Sequence, residues 1–364
     1  MRIPAAGGRA LMLVSARADE GLRAAVREGR RPDTEFLYLE RAHDVDLLDW
    51  SQLPFRPSLR SQAASVQHAL AALPRLHRYG VVFSDGENVG IPLALALRGL
   101  GSRIPHLVLG HHLSSPRKRR YFRTLAAGER MSRVLVHSAL QAELASTDLR
   151  IPRERLAVLP YCVDTDFWSP GGQVEENLIV SAGREHRDYA TLAAATGGLP
   201  VRVQVAAGSL HTPEGTWSAP PSWPSKFSVR SLDHLQLREA YRRAALVVIP
   251  VLETDFQAGI TSVLEAMAVG CPVITSATAG RSEAIEDGVN GVLVPPGDAA
   301  ALGAAVTRLI GDPGERRRLG ASARETAVQR HRIGVFGDAL ARHLDELAQG
   351  ARRLAVAGPA RDEG

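Results

Sequence analysis

The stretch that decides the fold runs from Asp255 to Asp298, DFQAGITSVLEAMAVGCPVITSATAGRSEAIEDGVNGVLVPPGD. It reads as loop, helix, buried strand, helix, short strand. Gly259-Ile260-Thr261-Ser262 opens a helix whose apolar positions Val263, Leu264, Met267 and Ala268 recur at helical spacing. Gly270 ends that helix as a left-handed cap, and Cys271-Pro272-Val273-Ile274-Thr275 follows as a buried strand. A glycine at a helix start bares backbone N–H groups and the positive dipole end, which together attract phosphate. Glu265, read as a first-turn residue, would repel phosphate yet accept hydrogen bonds from sugar hydroxyls. A diphosphate at the amides of Gly259, Ile260 and Thr261, with a ribose at Glu265, describes a nucleotide-sugar site. The plainer alternative is a capping box, Ser262-x-x-Glu265, in which the glutamate only returns a hydrogen bond to the helix start.

Outside this stretch, short β-branched segments alternate with longer helical patterns, which predicts parallel sheets with crossover helices. Strands are expected near 11–14, 36–39, 81–84, 106–109, 134–137 and 156–159, with helices over 59–73 and 91–100 between them. Further strands are expected near 178–182, 201–206, 227–229, 246–250, 273–275 and 292–294. Ser169-Pro170-Gly171-Gly172 is the clearest linker. It divides the chain into an N-terminal domain, 1–168, and a C-terminal domain, 173–330, in keeping with about 150 residues per domain. Helical periodicity resumes over 335–353, and the end, 351–364, reads as a frayed tail. Two doubly wound α/β domains place ligands at the carboxyl ends of their strands, in a cleft between them. Neither half carries G-x-G-x-x-G after its first strand, which disfavours a nicotinamide dehydrogenase. Thr212 to Pro224, TPEGTWSAPPSWP, is a stiff loop, either packed by its own tryptophans or walling an acceptor pocket.

Glu265-Ala266-Met267-Ala268-Val269-Gly270-Cys271-Pro272-Val273-Ile274 resembles the signature of the retaining glycosyltransferases of family four, also called glycosyl transferases group 1. That signature is Glu, seven residues, Glu, then Ala-Met-Ala-x-Gly-x-Pro-Val-Ile. The likeness continues through Gly280-x-x-Glu283-Ala284-Ile285, Asp287-Gly288-Val289-Asn290-Gly291 and Pro296-Gly297-Asp298. Leu159-Pro160-Tyr161-Cys162-Val163-Asp164 is similar to the family's interdomain segment, and Ser181-Ala182-Gly183-Arg184-x-x-Arg187-Asp188-Tyr189 to its basic loop. The resemblance covers roughly 155–300 and implies the GT-B architecture, two Rossmann-like domains facing a cleft. It also implies that a C-terminal helix, 331–350, returns to the first domain. Two departures stand out. Gln257 occupies the place of the signature's first glutamate, a donor-sugar contact, and removes its charge while keeping an acceptor. Cys162 stands where the family usually has glycine, a position that commonly needs positive φ.

By the same resemblance, Arg184 and Arg187 hold the donor diphosphate, where guanidinium groups stabilise departing charge; the plainer reading is two solvated arginines. His111-His112 follows the strand 106–109, where the family has a histidine near the transferred sugar, so these two are the catalytic candidates. Asp85, Gly86, Glu87 and Gly90 are acceptor-side candidates: the glycines admit close approach and either carboxylate orients a hydroxyl. A capped helix start is the equal alternative there. Arg117-Lys118-Arg119-Arg120-Tyr121-Phe122-Arg123 suits an anionic membrane surface or an acidic acceptor, or else a solvated helix face.

Composition agrees without deciding. Hydrophobic residues make up 45%, charged residues 23% and the formal net charge is +5. Only Lys118 and Lys226 are lysine among 44 basic residues, and the arginines are spread along the chain. Cys162 and Cys271 give neither a metal spacing nor a disulfide framework, which fits a reducing cytoplasm. The apolar run Ala10 to Val14 is too short for a signal peptide and serves better as a first strand. Asp164-x-Asp166 reads as turn chemistry rather than a metal motif. The expected protein is a metal-independent, cofactor-free retaining glycosyltransferase of the cytoplasm, peripheral at the inner membrane face if the basic run docks there. It takes a nucleotide sugar and an unidentified hydroxyl acceptor (glycan, lipid-linked or small molecule), and no nucleic acid. The alternatives are a catalytically degenerate binding or scaffold protein and a nucleotide-sugar epimerase of the same architecture.

Overall fold

The computed structural model describes residues 9–53, 62–207, 220, 222–281 and 283–357. Twelve strands alternate with helices along them. In the first half these are β1 (Ala10–Val14), α1 (Glu20–Arg27), α2 (Glu35–Ala42), β2 (Val45–Asp49), α3 (Gln62–Ala72), β3 (Val81–Ser84), α4 (Glu87–Gly99), β4 (His106–Gly110), α5 (Pro116–Leu125), β5 (Arg133–Val136), α6 (Ala139–Thr147) and β6 (Leu156–Val158). The second half continues with β7 (Glu175–Ala182), α7 (Tyr189–Thr196), β8 (Arg202–Ala206), β9 (Phe227–Arg230), α8 (His234–Arg243), β10 (Ala244–Ile249), α9 (Ile260–Val269), β11 (Val273–Ser276) and β12 (Val292–Val294). Helices α10 (Ala299–Gly311), α11 (Pro313–Arg330) and α12 (Ile333–Ala357) complete it. Among the described residues no helix is long and apolar enough to cross a membrane.

The chain forms two compact units. One holds residues 1–24, 35–160 and 336–364, and the other residues 25–34 and 161–335. The division at Pro160 falls ahead of the Ser169–Gly172 linker, because Val163 already pairs with Arg332 and the His331 carbonyl accepts the Val163 amide at 2.7 Å. Asp164 is indeed a turn former, its Oδ1 accepting the amides of Asp166 and Phe167. Cys162 carries no positive φ, so the expected backbone conflict does not arise. Helix α12 runs on to Ala357 where a frayed tail was expected from 351.

Each unit contains one six-stranded, wholly parallel sheet. The first has the order β2-β1-β3-β4-β5-β6 and the second β12-β11-β10-β7-β8-β9. Both are doubly wound: the chain leaves its first strand in one direction and returns to the other side. The switch points are β1/β3 and β7/β10, and in such sheets the crevice beyond the strand ends at the switch point receives ligands. Strands buried on both faces read as continuous apolar runs; Met12, Leu13 and Val14 in the first sheet and all of Leu246–Ile249 in the second are fully enclosed.

One expected element is wrong in kind. Residues 36–39 are not a strand but part of α2, whose buried Phe36, Leu37 and Leu39 form its inner face behind Glu35. The true second strand is Val45–Asp49, obscured in sequence by its aspartates. Asp49 is nonetheless buried, accepting the amides of Ala18 at 3.0 Å and Ser51 at 2.7 Å. The loop 212–224 lies largely outside the described residues; its Trp223 packs against Tyr189 and Phe227.

In the second unit α11 crosses the end of α9 so closely that a Cβ on Gly320 would lie 2.2 Å from the carbonyl oxygen of Gly270. The obstacle is backbone at the left-handed cap of α9 and cannot swing away. Gly320→Ala is expected to cost about 1–3 kcal/mol, read as a lowered midpoint in thermal unfolding, whereas Gly311→Ala, with open space around it, leaves the midpoint nearly unchanged.

Candidate functional site

In the second unit the polar groups gather at the β7/β10 switch point. The loop leaving β7 folds against the loop leaving β10: the Asp188 amide donates to the Pro250 carbonyl at 3.0 Å and the Leu252 amide to that of His186 at 2.9 Å. This pairing turns Arg187 inward. It is 4% exposed, donating from Nε to the Ala182 carbonyl at 2.8 Å and from Nη1 to that of Glu185 at 2.7 Å, with Nη2 3.5 Å from Ser262 Oγ. Gly183 and Gly259 make room for it. Both have positive φ, +93° and +84°, and a Cβ on either would press on the guanidinium, at 2.4 Å from Nη2 and 3.2 Å from Nη1. Helix α9 therefore begins directly over a buried cation, with Gly259 as an N-cap that offers no side-chain oxygen to its amides.

The remaining donor-side candidates occupy the same tip. Gln257 is buried and its carbonyl accepts the Ile260 amide at 3.4 Å; Ile260 is buried while Thr261 faces solvent. Arg184 is half-buried on the β7 loop, close enough to Tyr189 to act on its phenol electrostatically. Neither part of the capping-box reading holds. Ser262 lies inside the helix and receives Arg187, and Glu265 stands a full turn beyond the start rather than in the first turn. Glu265 keeps partial exposure, yet desolvation pushes its carboxyl up to about 8, against the Tyr241 hydroxyl that donates to Oε2 at 3.4 Å and the pull of Arg187. Tyr241, wholly buried, is a site residue that the sequence reading passed over as part of an ordinary helix.

The first unit's candidates converge where β3, β4 and β5 end. Asp85 accepts Ser15 N at 2.5 Å and Ser15 Oγ at 2.8 Å, so its carboxylate fills the β1/β3 switch point; burial raises it to about 6. Glu87, also buried, accepts the amides of His111 at 2.9 Å and His112 at 3.2 Å and the Lys118 ammonium. Burial alone would raise its pKa, but Lys118, then His111 and the amides, hold it down at about 2. Gly90 serves packing rather than a ligand: a Cβ there would meet Val108 at 2.7 Å. Gly86 is the extended N-cap of α4, in ordinary contact range of the His111 ring. Thus Glu87, Gly86 and Gly90 all have partners within the unit.

His111 reaches the Asp85 carbonyl through Nε2 at 2.8 Å and His137 Nε2 through Nδ1 at 3.1 Å, and its own carbonyl accepts Gln141 Nε2 at 2.7 Å. His112 is half-buried, its carbonyl accepting Lys118 at 3.2 Å. His137 and Gln141 were missed. The signal was present as His137-Ser138-x-x-Gln141, a helix start in which Ser138 caps Gln141 N at 3.2 Å and Gln141 Oε1 accepts the His137 amide at 2.9 Å. The basic run is largely occupied within the unit: Lys118 on Glu87, Arg119 on Asp148 at 2.7 Å and Arg123 on the Asp148 carbonyl at 3.0 Å.

Residues 12–167 match the family model described as Glycosyltransferase Family 4, and residues 218–312 the one described as Glycosyl transferases group 1. The two spans take in His111 and the tip of α9 but not Arg184 or Arg187. A D-inositol 3-phosphate glycosyltransferase of Xylanimonas cellulosilytica is 30% identical over 227 residues, covering 55% of this chain and 52% of that protein. A glycogen synthase of Mycobacterium tuberculosis is 38% identical over 97 residues, 27% of this chain and 23% of its own length. The chain thus spans about half or less of the length of the first curated relatives it matches. Among solved structures, sucrose-phosphate synthase from Thermosynechococcus elongatus superposes with a TM-score of 0.72 at 19% identity, covering 94% of this chain and all of that one. Anabaena Alr3699/HepE in complex with UDP and glucose gives 0.67 at 18%, covering 93% and 100%. With one model spanning the first sheet and the other enclosing the helix over Arg187, the chain belongs to family four of the glycosyltransferases.

Proposed function

We propose that this chain is a retaining, metal-independent glycosyltransferase that moves a sugar from a nucleoside-diphosphate donor to a hydroxyl acceptor. The observation that carries the reading is the uncapped start of α9 set over the Arg187 guanidinium, with Arg184 on the adjoining loop. Amides at a helix tip without a side-chain cap and a buried cation beneath them form a receptor for a doubly charged anion. Glu265, one turn on, is the ribose partner in this reading: mainly protonated near neutral pH, it both donates to and accepts from a pair of hydroxyls without repelling the diphosphate. Gln257 takes the donor-sugar contact with an amide where the resembled signature has a carboxylate. The Anabaena Alr3699/HepE complexes with UDP and with UDP-glucose support a nucleotide sugar as the class to try first. In the first unit, His111 and His112 are the catalytic candidates and Asp85 the acceptor-side carboxylate.

Three measurements test this. Isothermal titration with UDP, GDP and ADP is expected to give binding of at least one, and Glu265→Ala to weaken it about tenfold, the loss of roughly 1.4 kcal/mol; no binding by any of the three would remove the donor site. NMR of the product's anomeric proton is expected to show the donor's configuration kept, at a rate that EDTA leaves unchanged; an inverted product or an EDTA-quenched reaction overturns the mechanism. The third concerns pH. Because the folded-state pKa of Glu265 is raised from 4.5 to about 8, its contribution to stability is full below pH 4.5 and is lost as the pH rises through about 8. Glu265→Gln, which cannot ionise, is expected to flatten the fall in thermal midpoint between those limits.

A further inference from the structure

The two ends of the His111–His137 pair fix how many protons it holds. His137 Nδ1 lies 2.8 Å from the Leu159 carbonyl oxygen, and His111 Nε2 lies 2.8 Å from the Asp85 carbonyl oxygen. A carbonyl oxygen only accepts, so each of these nitrogens carries a hydrogen. Between the rings, His137 Nε2 and His111 Nδ1 are 3.1 Å apart, and that link needs one more hydrogen on one side or the other. Four nitrogens therefore share three hydrogens, where two neutral imidazoles have two. Hydrogen bonds at all three contacts together correspond to a pair of charge +1.

Burial decides where the extra proton rests. His137 is 3% exposed, and desolvation, then the neighbouring His111, pushes its pKa down to about 3. It is thus the neutral partner, protonated at Nδ1 and accepting at Nε2. The half-buried His111 stands beside the Glu87 carboxylate, which accepts its amide and is itself paired with Lys118, and against the backbone carbonyl of the half-buried Asp85.

We propose that His137 is a positioning residue that holds His111 as a doubly protonated ring, donating from both nitrogens. The inference rests on the transfer function proposed above. A ring so held has no lone pair with which to take the proton of an acceptor hydroxyl. His111 is then a fixed positive charge at the end of β4 and not a general base.

The test uses the full chain labelled with 15N-histidine, with His111 assigned by the signals lost in His111→Gln. Long-range proton–nitrogen correlation is expected to show two protonated-type nitrogens for His111, and one protonated and one bare nitrogen for His137. His137→Leu removes the acceptor, and His111 is expected to show a bare nitrogen. His137→Gln, whose amide can accept from His111 and donate to the Leu159 carbonyl, is expected to restore the two-donor pattern. A bare nitrogen on wild-type His111, or an unaltered pattern in His137→Leu, overturns the proposal. These spectra need no substrate, so they fail or succeed separately from the transfer function. In the transfer assay, kcat is expected to fall about tenfold or more in His137→Leu with donor KM unchanged, and to recover in His137→Gln. An unchanged kcat alongside a changed spectrum removes the catalytic half of the inference.

Discussion

A cation buried beneath the positive end of a helix is the constraint on which the second unit's site depends. Arg187 is enclosed at the start of α9, where the helix dipole disfavours positive charge. Burying a guanidinium costs several kcal/mol unless partners return it. Two backbone carbonyls and a serine hydroxyl compensate in part. The nearby carboxyl, Glu265, gives little counter-charge, because its own desolvation keeps it mainly protonated at neutral pH. The pairing of the β7 and β10 loops holds the cation at this tip, with the Glu185 carboxylate among the groups that favour its charge. The same constraint explains why Gly183 and Gly259 are glycine: side chains there would collide with the cation.

The first unit reverses the sign. Glu87 sits at the first position of α4, where a carboxylate suits the dipole, and it is saturated by two backbone amides and an ammonium. Asp85 closes the β1/β3 crevice with its own carboxylate, occupying the Ser15 amide that an incoming phosphate would otherwise use. A carboxylate so placed repels a second anion. The His111–His137 pair returns one positive charge to this acidic surrounding.

The parallel sheets were legible because strands covered on both faces need no polar alternation, so eleven of the twelve appear in sequence as compact apolar runs. The exception, Val45–Asp49, breaks that rule with a buried aspartate that takes loop amides. Residues 36–39 looked like a strand because Phe-Leu-Tyr-Leu is equally apolar in either conformation, and only the glutamates at 35 and 40 mark the helix. At the site, motif spacing located the tip of α9 and the basic loop but misplaced Glu265 by one turn, since Gly259 rather than a later residue takes the cap. Tyr241 and His137 were invisible for a different reason. Each acts through a contact between elements distant in sequence, 24 residues to Glu265 and 26 to His111, and no local pattern records such a contact.

The use of lysine follows the same physics. With arginine at nearly every basic position, the two lysines stand where a compact head with three donors is wanted. Lys226 sends its ammonium to the carbonyls of Thr196, Gly197 and Leu199, at 2.8, 2.9 and 2.7 Å, closing the negative end of α7. Lys118 reaches the buried Glu87 and the His112 carbonyl. Helix α5 thus contributes Lys118 to the first unit's polar network.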